Sequence, residues 1–302
     1  MVKKNNWTTA DIPDQSGKIM IVTGANSGIG FETARSLALH GATVIMACRS
    51  LEMGQAAVDQ IQSQNPRGQA ILQRLDLADL ASVGEFAGRF LEEYNRLDIL
   101  INNAGVMVPP YQLTVDGFEL QFGTNHLGHF KLTGLLIDVL QSTPDSRVIT
   151  VSSGLHIFGR INFRDLNSQR SYKNMLAYCQ SKLANVLFGY ELQRRAARSG
   201  GNTISIVVHP GYAATNVQRY NRLFRMLNPI IAQSQEMGAL PSLYAATSPE
   251  IHGGEYIGPD RFFGQHGYPH KIRSSQRSYD AELAQRLWEV SEELTKVQYL
   301  DS

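Results

Sequence analysis

From residue 18 almost to the C-terminus, short apolar, β-branched runs alternate with longer amphipathic segments. Residues 18–23 and 42–47 read as the first two strands, and further candidates fall at 70–75, 97–102, 147–152, 203–208 and 255–257. Helical spacing recurs between them at 29–40, 51–64, 79–95, 114–141, 172–198 and 235–247, and a last helix covers 280–297. Strand–helix alternation of this kind builds right-handed crossovers and a parallel sheet covered on both faces. Strands buried on both faces are apolar without alternation, as IMIV (19–22) and ATVIMA (42–47) are. The pattern predicts an α/β fold, a doubly wound parallel sheet of about seven strands with helices on both faces. No repeat, low-complexity tract or linker divides it, so residues 1–302 read as one domain with an N-terminal extension over 1–16. The loop-like stretch 211–234, with its apolar run Leu223–Ile231, breaks the pattern and is expected to be a lid over a substrate.

Charge and composition narrow the function. Lys plus Arg number 28 against 27 Asp plus Glu, a formal charge of +1. That balance argues against a nucleic-acid binder, which needs a basic excess to neutralise phosphates. With 43% hydrophobic and 18% charged residues, the chain is neither disordered nor membrane-embedded in character. Two cysteines, Cys48 and Cys179, make no disulfide scaffold and fit a reducing compartment. The opening MVKKNNWTTADIPDQ has no apolar run behind its lysines, and LTGLLIDVL (132–140) is too short to span a bilayer. A cytoplasmic globular protein without a transmembrane segment is the expectation.

The first strand runs straight into Thr23, Gly24, Ala25, Asn26, Ser27, Gly28, Ile29 and Gly30, followed by a helix. Glycines there let the chain turn sharply and let a pyrophosphate touch backbone N–H groups, with the helix N-terminus supplying free donors and partial positive charge. A tight βα turn is the bland alternative; the strand before and the helix and second strand after it disfavour that reading. After the second strand, a ribose 2′-hydroxyl calls for an acid and a 2′-phosphate for an arginine. The sequence there is Ala47-Cys48-Arg49. With no acid and a guanidinium able to grip a phosphate bidentately, NADP(H) is preferred over NAD(H).

The spacing Thr-Gly-x-x-x-Gly-x-Gly resembles the short-chain dehydrogenases/reductases, and four further motifs of that family stand in order. Asp76, followed by Leu77, comes after the third strand, where the family's acid contacts adenine. Asn102-Asn103-Ala104-Gly105 closes the fourth strand, Tyr178-x-x-x-Lys182 follows Ser152-Ser153, and Pro210-Gly211 closes the sixth. The likeness covers about 17–260; VSSGLH (151–156), AYCQSKLANVL (177–187) and NHLGHF (125–130) are similar to the retinol dehydrogenase-like branch. The resemblance implies a Rossmann-type NAD(P)-binding domain and an oxidoreductase acting on a small apolar carbonyl or alcohol. It implies a cofactor cradle of Gly24, Asn26, Ser27, Gly28, Ile29, Gly30, Arg49, Asp76, Leu77, Asn103, Ala104 and Gly105, closed by Pro210, Gly211 and Thr215 on the nicotinamide side. It also implies a catalytic set of Asn125, Ser153, Tyr178 and Lys182, with Tyr178 and Lys182 contacting the cofactor as well.

Tyr178 and Lys182 are one helical turn apart and share a face. A phenol titrates near pH 10 in water; the neighbouring ammonium, together with the positive nicotinamide of the oxidised cofactor, is expected to favour phenolate and lower that value, so that Tyr178 exchanges a proton with the substrate oxygen. By the resemblance, Ser153 hydrogen-bonds that oxygen, Ser152 is a strand-end residue, and Asn125 holds a water against Lys182. Asparagine is a poor residue for a helix interior, which fits a site role, while packing against backbone is the ordinary alternative. His126 and His129 are three apart rather than four and are not read as a zinc pair; His156 reads as a packed or solvated histidine. A cofactor-sensing regulatory protein is the competing function, since fold alone does not fix activity. Relatives pair the helices at 114–141 and 172–198 across a dimer interface, so a homodimer is possible.

Overall fold

A computed structural model describes residues 6–212, 233–262 and 264–300. The chain runs β1 (Ile19–Thr23), α1 (Gly28–Leu39), β2 (Thr43–Cys48), α2 (Leu51–Gln62), β3 (Gln69–Arg74), α3 (Leu80–Glu93) and β4 (Ile99–Asn102). It continues through α4 (Leu120–Phe122), a π turn (Gly123–Leu127), α5 (Gly128–Leu135), α6 (Ile137–Ser142), β5 (Arg147–Val151), a 3-10 turn (Gly154–Phe158), α7 (Asn174–Arg198) and β6 (Ile204–Val208). After the undescribed stretch come α8 (Gln235–Thr247), β7 (Tyr256–Arg261), β8 (His266–Ile272) and α9 (Ala281–Thr295).

The strands form one sheet in the order β3-β2-β1-β4-β5-β6-β7-β8, parallel except for β7 against β8. That is the doubly wound Rossmann-type arrangement, with one strand beyond the seven expected. The additional strand β8 escapes the apolar pattern because its sequence, HGYPHKI, holds no apolar run and contains Pro269. An edge strand tolerates both features, and Pro269 lies opposite Pro259 in the ladder.

Alternate residues of each central strand feed two cores. Met20, Val22, Val44, Met46 and Ile101 pack under α1, α2 and α8, while Ile21, Ile45, Leu100 and Val148 pack under α3, α5, α7 and α9. The second face is closed by an aromatic group in which Phe130 and Trp288 meet edge to face at 5.0 Å. Helix starts obey capping chemistry: Ser50, Asp79, Ser234 and Asp280 each accept a main-chain N–H at the start of α2, α3, α8 and α9.

One predicted helix is broken. Residues 114–119 do not join it: Leu113 bridges Glu119 across a turn in which Gly117 has φ +81°. The helix begins at Leu120 and widens into the π turn that carries Asn125. Among the described residues no helix is long and apolar enough to cross a membrane.

Candidate active site

The carboxyl ends of β1 and β4 part where the strand order reverses, the place at which open α/β sheets take ligands. The Thr23 hydroxyl accepts the main-chain N–H of both Asn103 and Ala104 at 2.9 Å, and the Asn103 side chain donates to the Thr23 carbonyl at 2.8 Å. These bonds fasten the glycine turn to the end of β4 and leave little room. A Cβ on Gly30 would lie 2.4 Å from the Gly24 carbonyl oxygen and 2.5 Å from the Asn103 side chain. Gly24 and Gly28 have φ of +67° and +62°, a region costing an L-residue about 1–2 kcal/mol. Ser27 makes no side-chain cap on α1, unlike the caps of α2 and α3, so the first N–H groups of that helix are left for an anion, between Asn26 and Ile29. The cradle fits a pyrophosphate.

Arg49 stands exposed one residue beyond β2, with no ion-pair or hydrogen-bond partner among the described residues. Asp76 is half-buried; its carboxylate accepts the Ala78 N–H at 3.0 Å and its own N–H donates to Ser82 Oγ at 3.1 Å, which fixes the turn after β3. Leu77 is buried against the start of α5, where a Cβ on Gly128 would meet the Leu77 carbonyl at 2.5 Å. At the other side of the crevice Gly211 has φ +70° and donates its N–H to His209 Nδ1 at 3.1 Å, and Gln233 donates to the Pro210 carbonyl at 2.7 Å. Thr215 and the Leu223–Ile231 run lie outside the described residues.

The two serines after β5 part ways. Ser152 is buried and donates to the Lys182 carbonyl at 2.8 Å. The Ser153 hydroxyl hydrogen-bonds the Tyr178 phenol and also accepts the Leu155 N–H at 3.2 Å. Tyr178 and Lys182 share a face of α7, with Lys182 Nζ 5.9 Å from the centre of the tyrosine ring and donating to the Val151 carbonyl at 3.1 Å. Both are almost wholly buried.

Burial dominates the acidity of both groups in the protein without a bound dinucleotide. Desolvation pushes the Tyr178 phenol up to about 12, outweighing the Ser153 hydrogen bond that lowers it. Desolvation pulls Lys182 down to about 8. An ammonium beside a phenol does favour phenolate, but a low-dielectric pocket penalises that phenolate more strongly. Burial therefore favours the neutral Tyr178 phenol when no dinucleotide is bound.

Asn125 uses its side chain on protein. Oδ1 accepts the Val106 N–H at 2.8 Å, and Nδ2 donates to the Val106 carbonyl at 3.0 Å and to Ser181 Oγ at 2.9 Å. A Cβ on Gly105 would lie 3.1 Å from Asn125 Oδ1 and 3.5 Å from Lys182 Nζ, so Gly105 leaves the space between them open. Asn125, Lys182 and the end of β4 thus converge.

Three features escaped the sequence. Met107 and Val108, with Leu155 and Met175, form an apolar wall against Tyr178. Val108 holds φ +48°, rare for a β-branched residue; it is clamped by Gln121 Oε1 on its N–H at 2.8 Å and by Asn174 Nδ2 on its carbonyl at 3.3 Å. No local sequence signal marks a left-handed valine. The third feature is the engagement of His129, which joins Thr23 at 2.9 Å; His156, expected to be packed or solvated, is buried with Nδ1 on the Ser153 carbonyl at 2.7 Å. Their spacing to neighbouring motif residues was the one available clue.

A glycine cradle at the switch point, facing a buried Ser–Tyr–Lys group, defines a dinucleotide-dependent α/β oxidoreductase. The chain belongs to the short-chain dehydrogenase family, whose model matches residues 18–225. It is 41% identical over 298 residues to retinol dehydrogenase 12 of Mus musculus, covering 97% of this chain and 90% of that protein. Against retinol dehydrogenase 13 of Homo sapiens it is 44% identical over 290 residues, 92% of this chain and 84% of the other. A crystal structure of an uncharacterized protein from Mycobacterium paratuberculosis is 44% identical with a TM-score of 0.83, covering 97% of this chain and 99% of that one. The protein is thus a retinol dehydrogenase-like member of the family, an oxidoreductase acting on CH–OH and C=O groups.

Proposed function

We propose that this protein interconverts an apolar aldehyde or ketone and its alcohol, uses NADP(H) in preference to NAD(H), and moves the proton through Tyr178. The observation that carries the reading is the placing of the buried Tyr178 ring one helical turn from Lys182, 5.9 Å from its Nζ, beside Ser153 and against an apolar wall. The nicotinamide supplies hydride or accepts it. Gly24, Gly28, Gly30, Asn103, Ala104 and Gly105 give its dinucleotide close backbone approach, Asp76 and Leu77 border the adenine side, and Pro210 and Gly211 the nicotinamide side. Arg49 favours NADP(H): a free, exposed guanidinium beside the end of β2 can grip a 2′-phosphate, and no carboxylate stands in the preceding positions to repel it.

In the reducing direction Tyr178 donates its proton to the carbonyl oxygen while Ser153 holds that oxygen by a hydrogen bond. Lys182 places positive charge beside the phenolate that results, and Gly105 leaves the space between Asn125 and Lys182 open to a water that returns the proton. In the oxidising direction Tyr178 must first lose its proton. The wall of Met107, Val108, Leu155 and Met175 favours an apolar substrate, gaining about 0.8 kcal/mol per buried methylene, and the names of the relatives point to long apolar alcohols.

A panel of aldehydes, ketones and alcohols of rising chain length, with retinal among them, tests this with NADPH and NADH followed by nicotinamide absorbance. The reading expects NADPH-driven reduction whose kcat/KM climbs with chain length. NADPH that binds tightly yet is oxidised by no carbonyl of the panel would point instead to a cofactor-sensing protein.

A further inference from the structure

We infer that His129 is a positioning residue that carries the state of the dinucleotide turn to Asn125, as a neutral ring protonated on Nδ1. The inference rests on the reading above that Asn125 serves proton transfer. Thr23, Asn125 and His129 are all fully buried, so each polar atom must find its partner inside the protein. A hydroxyl has one proton and two acceptor sites. The Asn103 and Ala104 N–H groups, both at 2.9 Å, fill the two acceptor sites of Thr23 Oγ1. Its proton then goes to His129 Nε2 at 2.9 Å in preference to the Ile101 carbonyl at 3.3 Å.

Nε2 must accept, so it is bare. Nδ1 lies 3.0 Å from the Asn125 carbonyl oxygen, which can only accept, so Nδ1 carries the hydrogen. The bonds run in one sense, from the β4-end N–H groups through Thr23 and the imidazole to the Asn125 carbonyl. From there the Asn125 amide reaches Ser181, whose hydroxyl donates to the Tyr178 carbonyl at 2.8 Å. Burial and the nearby Lys182 charge hold the ring neutral, with its pKa lowered to about 4. The π turn suits this link: it shifts backbone bonding from four to five residues, and His129, four residues beyond Asn125, reaches that carbonyl with its side chain.

Two substitutions separate the two ends of the ring. H129N keeps a donor at the Nδ1 reach and loses the acceptor for Thr23; H129Q keeps an acceptor at the Nε2 reach and loses the donor to Asn125. H129Q is expected to lower kcat about tenfold while NADPH affinity changes less than twofold. H129N is expected to weaken NADPH about fivefold and to keep at least half of kcat. Equal losses in both variants, or none in either, would mean that the ring only fills space. Nitrogen NMR of the wild-type imidazole covers the case in which the variants do not fold. It should show a neutral Nδ1–H tautomer from pH 5 to pH 8, with the Nε2 signal moving when NADPH is added; a ring that titrates in that range, or carries its proton on Nε2, overturns the inference. Tyr178→Phe separates the two layers: if it leaves turnover intact, the proton-transfer reading fails whatever His129 does.

Discussion

The two sides of the crevice are built from different materials. The dinucleotide side consists of backbone: glycines where a Cβ would collide at 2.4–2.9 Å, main-chain N–H groups and one buried threonine. The substrate side consists of side chains: Tyr178, Ser153, Lys182 and an apolar wall that includes a valine at φ +48°. Backbone recognition demands particular residues at fixed spacing, because only glycine meets both the steric and the dihedral requirement. Side-chain recognition demands only a shape, which many sequences can line. The first side therefore serves a ligand common to many enzymes, and the second is free to differ between them.

That contrast can be broken at several points. The largest effect is expected from Tyr178→Phe, which keeps the ring and removes the proton: turnover should fall about 10³-fold with NADPH affinity within a factor of three. Gly30→Ala should come next. Its methyl meets the Gly24 carbonyl and the Asn103 side chain, so fluorescence titration should show NADPH binding weakened at least about 100-fold by the lost backbone approach. Arg49→Leu should raise the KM for NADPH about tenfold and leave that for NADH nearly unchanged; equal rises for both would remove the 2′-phosphate assignment. An effect of similar size is expected from Val108→Ala. Losing two methyl groups from the wall should cost about tenfold in kcat/KM for a long apolar aldehyde, and much less for the shortest member of the same series.

The legibility of the chain follows the same division. The sheet and both helical layers could be read because buried parallel strands are uniformly apolar and the glycine turn announces the first crossover. The seven strands that were expected match observed ones within two residues at their starts. β8 could not be read, since an edge strand needs no apolar run. The helix expected at 114–141 was misjudged at its start, where Gly117 and the Leu113–Glu119 bridge make a turn, and in its middle, where the π turn is invisible to a pattern with a period of 3.6. In the site, the family resemblance pointed to Ser153, Tyr178, Lys182 and Asn125, and the structure brings all four together. It did not predict the acidity of Tyr178, because sequence shows the neighbouring ammonium and hides the burial that outweighs it. Nor did it show that His129 and His156 hold the carbonyls of Asn125 and Ser153, a matter of ring orientation rather than residue type.

The protonation state of Tyr178 is the centre of the account, and paired pH profiles of one enzyme preparation test it. A phenol raised to about 12 by burial is fully protonated at neutral pH. The base form needed for alcohol oxidation then grows about tenfold per pH unit while the pH stays below that pKa. Oxidation kcat/KM should rise steadily from pH 6 into the alkaline range, until Lys182, lowered to about 8, loses the charge that supports phenolate and the rise slackens. Reduction should stay flat across the same neutral range, because the acid form it needs is already complete. Oxidation and reduction profiles that both turn on one group titrating near pH 6 to 7 would contradict a Tyr178 phenol held neutral by burial.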